Sequence, residues 1–187
     1  MTPEPIISAR PPLVESDFLD KVVDIVQQMI TETKGLPPQL FLYVEPTETE
    51  PKPGICIAHF PTDLLNSGKG KDTLSEILKT MLKTRPSKEV VFVTEAWSAR
   101  RGLPKELETM LTQNKMRLSQ LPSKYRQEVI MLQYYDSRAG GKPVNWMGRK
   151  EFERDPDDNV INFYETEWVC MSTEGAKTSG RFTNLME

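Results

Sequence analysis

The stretch RQEVIMLQYYDSRAGGKPVNWMGRKEFERDPDDNVINFYETEW, residues 126–168, decides the fold. It holds three apolar-rich segments separated by two short turn sequences, AGG at 139–141 and DPDDN at 155–159. Strands joined by short turns run antiparallel, because parallel neighbours need a long crossover. The stretch therefore predicts a three-stranded antiparallel meander, with Gly148 marking a bulge. The predicted strands are 126–136, 143–154 and 160–168.

Upstream of the meander, helices and further strands are mixed without regular alternation. Apolar residues at helical spacing predict helices from about 16 to 34, from Asp72 to Pro86, and over 103–118. Apolar runs at 40–45 and 55–60 predict strands, and the stretch at 88–102 predicts a third. This order is typical of an α+β domain. We expect a mostly antiparallel sheet of about six strands with two or three helices packed on one face.

The ends of the chain differ in composition from its middle. Four prolines fall within the first twelve residues, and proline disfavours helix. Beyond Cys170 the chain is rich in Ser, Thr, Gly and Lys. The sequence therefore predicts an extended proline-rich arm at 1–14, a single domain at 15–170 and a flexible tail at 171–187.

Bulk composition excludes several classes of protein. The net charge of −3 over 187 residues creates no global field for DNA or for an anionic membrane. The N-terminus has no apolar signal segment, and no apolar run is long enough to cross a bilayer. The two cysteines, Cys56 and Cys170, make no disulfide framework. We therefore expect a cytoplasmic protein with no membrane partner.

The segment KEVVFVTEAWSARRG, residues 88–102, places a carboxylate among apolar neighbours. Side chains alternate along a strand, so Glu95 shares a face with Val93 and Trp97. An unpaired carboxylate there is costly, so Glu95 requires a partner. Two interpretations are open. In one, Glu95 pairs with an arginine (Arg100, Arg101 or Arg126); in the other, it is a carboxyl group of raised pKa in a cleft beside an aromatic ring.

Other motifs give no catalytic residue, metal site or cofactor. Glutamates on the strands (Glu128, Glu151, Glu165 and Glu167) could join Glu95 in binding Mg²⁺, but no ligand spacing supports this. SGKGKDT at 67–73 departs from the phosphate-binding loop pattern and is expected to be a solvated loop. The only histidine, His59, and Cys56 point to opposite strand faces. DPDDN lacks the glycine and glutamate of a calcium loop.

Charge is distributed unevenly along the chain. Residues 100–126 contain seven basic and two acidic side chains, whereas residues 151–167 contain seven acidic ones and one base, Arg154. The basic segment could contact phosphates, with Trp97, Tyr125, Tyr134 or Tyr135 stacking on bases. It could equally bind an acidic protein, or the acidic hairpin of a second copy in a homo-oligomer. The predicted binding residues are Arg100, Arg101, Lys105, Lys115, Arg117, Lys124, Arg126 and Trp97.

Two short motifs carry a resemblance. FVTEAW at 92–97, followed by P-S-x-x-R-x-E at 122–128, resembles uncharacterised bacterial and phage proteins that have an E-A-W strand before an Arg-x-Glu strand. The resemblance implies a prokaryotic or viral origin and no particular activity. It directs attention to Glu95, Trp97, Arg126 and Glu128 as one spatial group, in which Arg126 pairs with Glu95 under the Trp97 ring.

These observations predict a non-catalytic binding or accessory protein, of phage or bacterial origin. It engages a macromolecular partner, protein or nucleic acid, through the basic 100–126 segment or the sheet surface. The alternative is a small metal-dependent hydrolase or nucleotide-processing enzyme with a carboxylate site around Glu95.

Overall fold

The computed structural model describes residues 7–8, 16–100, 102–138 and 144–171. Within them lie three α-helices, seven strands and three short 3₁₀ turns. The helices are α1 (Asp17–Thr33), α2 (Gly68–Thr84) and α3 (Lys105–Thr112). The 3₁₀ turns are Thr62–Leu65, Leu118–Gln120 and Ser123–Tyr125. The strands are β1 (Ile7–Ser8), β2 (Gln39–Val44), β3 (Gly54–His59), β4 (Glu89–Ala99), β5 (Arg126–Asp136), β6 (Val144–Arg154) and β7 (Val160–Cys170).

All the described strands belong to one antiparallel sheet, in the order β1-β7-β6-β5-β4-β2-β3. The α+β class and the sheet of six long strands are therefore confirmed, with β1 as a two-residue addition at one edge. Strand β5 pairs with β4 along its whole length, from Glu89 opposite Asp136 to Ala99 opposite Arg126. Because β4 also pairs with β2, it joins the meander of β5, β6 and β7 to the β2–β3 hairpin in one continuous sheet.

The helices cover both faces of the sheet, and not one face as the sequence predicted. Val91 and Val93 of β4 lie in the core that α1 covers. Val90 and Phe92 point the other way and pack in a second core with Leu74 of α2. The apolar runs of β2 and β4 are continuous and do not alternate with polar residues, which is typical of strands that are buried on both faces.

Helix α2 begins at Gly68, earlier than the expected start at Asp72. Ser67 is its N-cap and accepts a hydrogen bond from the Gly70 amide, so SGKGKDT forms a cap and first turn instead of a solvated loop. A Cβ atom at Gly70 would lie 2.5 Å from the carbonyl oxygen of Leu64. The glycine, normally a poor helix former, thus allows α2 to pack closely against the preceding 3₁₀ turn.

The structure differs from the sequence prediction in two further details, the length of α3 and the role of Gly148. Helix α3 is shorter than the predicted 103–118, and irregular chain follows it up to the 3₁₀ turn at Leu118. Gly148 pairs regularly with Leu132 and Trp168, and the irregularities between β6 and β7 lie further along, between Lys150 and Arg154. At Gly148 an added Cβ would lie 2.6 Å from the Trp168 ring, so the glycine makes room for that indole.

Parts of the sequence-based division fall outside the described residues. Of the expected arm at 1–14, only Ile7–Ser8 is described, and it pairs with β7. Of the expected tail at 171–187, only Met171 is described, and its amide donates to the Asn145 carbonyl at 2.8 Å. The AGG turn and Arg101 also lie outside the described residues. In the part of the chain that is described, no helix has both the length and the apolar content required to cross a membrane.

Candidate functional site

Strand β4 extends beyond the strand that pairs with it. Pairing with β2 covers only Val90–Val93, and β4 continues to Ala99. If the register between β2 and β4 continued beyond Gln39 and Val93, Pro37 would lie opposite Glu95. Proline has no amide hydrogen to donate to a neighbouring strand, so the pairing ends here. Residues 94–99 thus form one edge of the sheet.

The register shows which backbone groups face this open edge. The Arg100 amide donates to the Tyr125 carbonyl at 2.9 Å, and the Ser137 amide donates to the Lys88 carbonyl at 2.9 Å. In each bond the two residues lie directly opposite each other in the β4–β5 register. Along antiparallel strands, hydrogen-bonded pairs alternate with non-bonded pairs, so the even-numbered residues of β4 are the ones that bond to β5. The N–H and C=O groups of Glu95, Trp97 and Ala99 therefore point away from β5. No described residue provides a backbone partner for them.

A groove of about 2200 Å³ runs along this edge. One wall comes from the end of α1 and the start of α2, and includes Leu36, Leu65 and Lys71. The other wall comes from the predicted basic segment and includes Leu111, Arg117 and Leu118. The structure thus places the basic segment beside the open strand edge, a relationship that the sequence did not indicate.

The basic segment is only lightly attached to the rest of the protein. From Gly102 to Gln120 no residue is buried, and Leu121, with 2% of its surface exposed, is its first anchored apolar side chain. Leu118 and Trp97 are each 37% exposed beside the groove. A short helix with an apolar stripe but no buried residue lacks the tertiary packing that normally stabilises helices.

Glu95 has a different partner from the one the sequence predicted. Its carboxylate accepts a hydrogen bond from the Leu36 amide at 3.0 Å, and Arg154 Nη2 lies 3.6 Å from its Oε1. Arg154 also contacts Glu128, with Nε 2.7 Å from Oε2, and Asp158, with Nε 3.5 Å from Oδ1. We call these four side chains the Arg154 cluster.

The proposed pairing of Glu95 with Arg126 is therefore wrong, although Glu95 and Glu128 do share a site. Arg126 lies opposite Ala99 in the sheet, four residues beyond Glu95. One feature of the sequence pointed to Arg154, which is the only base in the acidic 151–167 segment. No sequence signal connected that base with β4, because the connection depends on the register of three strands.

Burial shifts the ionisation of Glu95. Desolvation raises the pKa of its carboxyl group above the ordinary value, and the nearby Glu128 carboxylate adds to this rise. The Leu36 amide and Arg154 oppose the shift but do not cancel it. Glu95 and Trp97 both line the groove. The environment of Glu95 therefore agrees with the second interpretation from the sequence, a carboxyl group of raised pKa in a cleft beside an aromatic ring.

Arg126 joins the basic segment to the sheet. Its guanidinium lies 4.3 Å from the centre of the Trp97 ring, and its Nη1 donates to the Ser119 carbonyl. The Nε of Arg100 donates to the Arg126 carbonyl at 3.1 Å. Trp97 thus has one face covered by a cation, which stabilises the end of β4 and limits base stacking on that face.

The remaining predicted binding residues are spread over the segment. Arg100 and Arg117 line the groove, whereas Lys105 is at the start of α3 and Lys115 follows that helix. Lys124 lies over the ring of Tyr125 at 4.7 Å. Of the proposed stacking residues, Tyr134 and Tyr135 are buried in the two cores and have no exposed ring.

The proposed magnesium site has no matching geometry in the described residues, where no three His, Cys, Asp or Glu side chains converge as metal ligands. Glu151 pairs with Arg149, and the Arg149 guanidinium also lies 3.6 Å from Glu167. Around Glu95, the carboxylates are arranged about the guanidinium of Arg154. At the DPDDN turn, Asp155 accepts from the amides of Asp157 and Asn159, which makes it a hydrogen-bonded turn.

The chain matches no protein-family model, no curated protein and no solved structure. No activity is therefore carried over from a relative.

Proposed function

We propose that this is a non-catalytic binding protein that engages a macromolecular partner in the groove beside β4. The observation that carries the proposal is the open strand edge at Glu95, Trp97 and Ala99. It lies beside a segment, from Gly102 to Gln120, in which no side chain is buried. Backbone groups without a neighbouring strand and exposed apolar side chains in one groove are typical of a surface that a partner covers.

The chemistry of the groove favours a protein partner over a nucleic acid. Apolar side chains from both walls line it, including Leu65, Leu111 and Leu118. Nucleic-acid surfaces combine phosphate contacts with exposed aromatic rings. Here Trp97 and Tyr125 each have a cation over the ring, and the two buried tyrosines offer none.

Two fluorescently labelled probes test the proposal. One is an oligothymidine of twelve nucleotides, and the other is a decapeptide that alternates apolar residues with Asp and Glu. Fluorescence anisotropy measures the binding of each probe. We expect at least one probe to bind with an affinity that falls as salt rises. The double variant Arg100→Ala/Arg117→Ala removes two groove cations and should weaken that binding. The control Lys52→Ala/Lys83→Ala removes the same charge at exposed positions that do not line the groove. If neither probe binds, or if both variants bind equally well, the proposal fails.

A second candidate function, a hydrolase centred on Glu95, has one observation in its favour, the raised pKa of a carboxyl group that lines the groove. Against it, Leu36 and Arg154 already engage this carboxylate. If this candidate is a metal-dependent hydrolase, divalent metal should stabilise the wild-type protein in a thermal melt, and Glu95→Gln should abolish that stabilisation. We expect the same melting temperature with and without metal in both proteins.

We place the protein in the cytoplasm as part of this proposal. Cys56 and Cys170 are both free thiols, on β3 and β7. Free thiols are the ordinary state in a reducing compartment.

A further inference from the structure

We propose that residues 102–117, which include α3, form a flap that closes over the groove by swinging toward the wall at the end of α1 and the start of α2. The flap regulates access to the groove, so this inference rests on the proposed binding function. It starts from a contrast between the two walls. Leu36 has 5% of its surface exposed and lies in the α1 core, and Leu65 packs against the α2 core, whereas no residue of the flap is buried. One wall is therefore fixed and the other is not.

The flap makes its polar contacts within its own stretch of chain. Among the described residues, every hydrogen bond of residues 102–117 stays between Pro104 and Gln120. The Glu108 amide, for example, donates to the Pro104 carbonyl at 3.0 Å, and the Arg117 amide donates to Gln120 Oε1 at 2.7 Å. None of the ion pairs and ring contacts in the described part of the chain involves a flap residue. The flap can thus move as one body without breaking a hydrogen bond or an ion pair to the rest of the protein.

The two ends of the flap have the features of a hinge and an anchor. Gly102 has a φ of 81°, a left-handed conformation that glycine adopts without strain. A Cβ atom there would meet no atom within 4 Å, so the backbone has room to rotate. At the other end, Leu121 is buried, and Arg126 donates to the Ser119 carbonyl, which fixes the chain to the sheet again. Hinges are typically a few such residues that absorb a change in φ and ψ between rigid parts.

Apolar side chains line the groove from both walls. Leu111 and Met116 of the flap lie on one side, and Leu36 and Leu65 lie on the other. Helix α3 has no buried residue, and helices in proteins gain most of their stability from the packing of an apolar face. Closure would bring the two apolar sets together and would give α3 the packing that it lacks in the open form.

The charges of the groove give the closure a direction. Three basic and three acidic side chains line it, so the charges balance within the groove itself. Glu108 is on the flap and Lys71 is on the opposite wall. Neither side chain has an ion-pair partner among the described residues. Opposite charges on facing surfaces favour their approach and fix its orientation.

Disulfide cross-linking tests the closure. In a Cys56→Ser/Cys170→Ser background, the pair Leu65→Cys/Leu111→Cys places one thiol on each wall of the groove. The control pair Ile77→Cys/Leu111→Cys keeps the flap thiol and moves the other to an exposed position of α2 that does not line the groove. Under a mild oxidant, we expect the first pair to cross-link within the monomer about tenfold faster than the control, because closure raises the effective concentration of its thiols. Equal rates would overturn the proposal.

Charge reversal tests the direction of closure. Glu108→Lys places a second cation opposite Lys71 and should slow cross-linking of the Leu65→Cys/Leu111→Cys pair about threefold, the effect expected of an exposed ion pair. Adding Lys71→Glu restores opposite charges and should restore the rate. Glu106→Lys is the matched control, since Glu106 is on α3 but does not line the groove. If Glu106→Lys slows cross-linking as much, or if Lys71→Glu gives no recovery, closure toward α2 is contradicted.

Tryptophan quenching measures the closure without engineered thiols. Trp97 lines the groove and is 37% exposed, whereas Trp146 and Trp168 are buried, so quenching by acrylamide reports mainly on Trp97. Glu108→Lys should open the flap and increase quenching relative to wild type, and Glu106→Lys should leave it unchanged. Circular dichroism checks that the cysteine variants fold, and the quenching measurement decides the question if they do not. Equal quenching in Glu108→Lys and wild type would show that the flap does not cover the groove.

The outcomes separate the flap from the proposed function, because cross-linking and quenching require no groove ligand. If neither the oligothymidine nor the decapeptide binds but the first pair cross-links quickly, the proposed function fails and the flap stands. If a probe binds and the two pairs cross-link at equal rates, the groove has a partner but no flap. If both proposals hold, the oxidised Leu65→Cys/Leu111→Cys protein should bind the probe about tenfold more weakly than the reduced protein. Equal binding by the two forms would overturn control of access by the flap.

Discussion

Arg154 of β6 reaches across β5 and places its guanidinium 3.6 Å from the carboxylate of Glu95 on β4. The same guanidinium contacts Glu128 of β5, so one side chain connects three neighbouring strands. This contact lies at the end of the sheet where β4 loses its partner β2. We infer that it holds the end of β4 in place beside the groove.

Replacing Arg154 should therefore destabilise the protein. Arg154→Met leaves Glu95 and Glu128 close together without their shared cation, and loss of one partner from a fully buried pair costs about 3–5 kcal/mol. The Arg154 side chain is 11% exposed, so we expect a smaller loss, about 2 kcal/mol. Urea unfolding measures it.

Arg149→Met is the matched control, since Arg149 is on the same strand and pairs with the more exposed Glu151 and Glu167. Exposed pairs contribute about 1 kcal/mol or less. Equal losses of unfolding free energy in the two variants would show that Arg154 contributes no more than an exposed ion pair does.

Glu95→Gln should alter the dependence of stability on pH. Burial raises the pKa of Glu95, so the folded protein binds this proton more tightly than the unfolded chain does. The free energy of unfolding then falls as pH rises from the ordinary carboxyl pKa through the raised one. Glutamine has no such titration, so the stability of Glu95→Gln relative to wild type should increase between about pH 4 and pH 7.5. Urea unfolding at both pH values measures the difference.

Glu45→Gln controls for an exposed carboxylate, because Glu45 is in an ion pair with Lys88 on the surface. The opposite sign for Glu95→Gln, with relative stability falling as pH rises, would mean that Arg154 lowers the pKa more than burial raises it.

Gly70→Ala should destabilise the protein although alanine is the better helix former. Propensity alone predicts a gain of about 1 kcal/mol in a helix interior. The added methyl group would lie 2.5 Å from the Leu64 carbonyl oxygen, and a backbone oxygen cannot rotate away. We expect a net loss of about 1–3 kcal/mol, measured by thermal or urea unfolding. Thr73→Ala, at an exposed position of the same helix, should give the ordinary small gain. A gain in Gly70→Ala would contradict the close packing of α2 on the 3₁₀ turn.

Gly148→Ala tests the contact between β6 and the Trp168 indole. The new Cβ would lie 2.6 Å from a ring that is buried and also packs edge-on against Tyr134. We expect a loss of about 1–3 kcal/mol, together with a change in tryptophan fluorescence as the ring moves. Gly35→Ala is the control, since a Cβ there meets no atom within 4 Å. Unchanged fluorescence and stability in Gly148→Ala would contradict the close contact between residue 148 and the Trp168 ring.

The elements that the sequence predicts well are those decided by local signals. Short turns gave the meander of β5, β6 and β7, and an apolar stripe with a Ser16 cap gave α1. The start of α2 was missed because it depends on a contact between Gly70 and Leu64, which outweighs the low helix propensity of glycine.

The candidate site depends on relationships that lie far apart in the chain. The partner of Glu95 is 59 residues away, and the choice between Arg126 and Arg154 follows from strand register. The groove exists because β2 begins only at Gln39, after Pro37 and Pro38, and nothing local at residues 94–99 reveals that they have no partner strand on that side. The charge of the 100–126 segment was visible in the sequence, but its position beside that edge was not.

The alternating backbone of β4 also sets how quickly its individual amides exchange with deuterium. Residues 94, 96, 98 and 100 donate toward β5 and should exchange slowly, whereas Glu95, Trp97 and Ala99 have no acceptor among the described residues and should exchange quickly. A single strand would then show fast and slow positions in turn, from the end of its pairing with β2 to Ala99. Nuclear magnetic resonance resolves this pattern in the free protein, before any partner has been found.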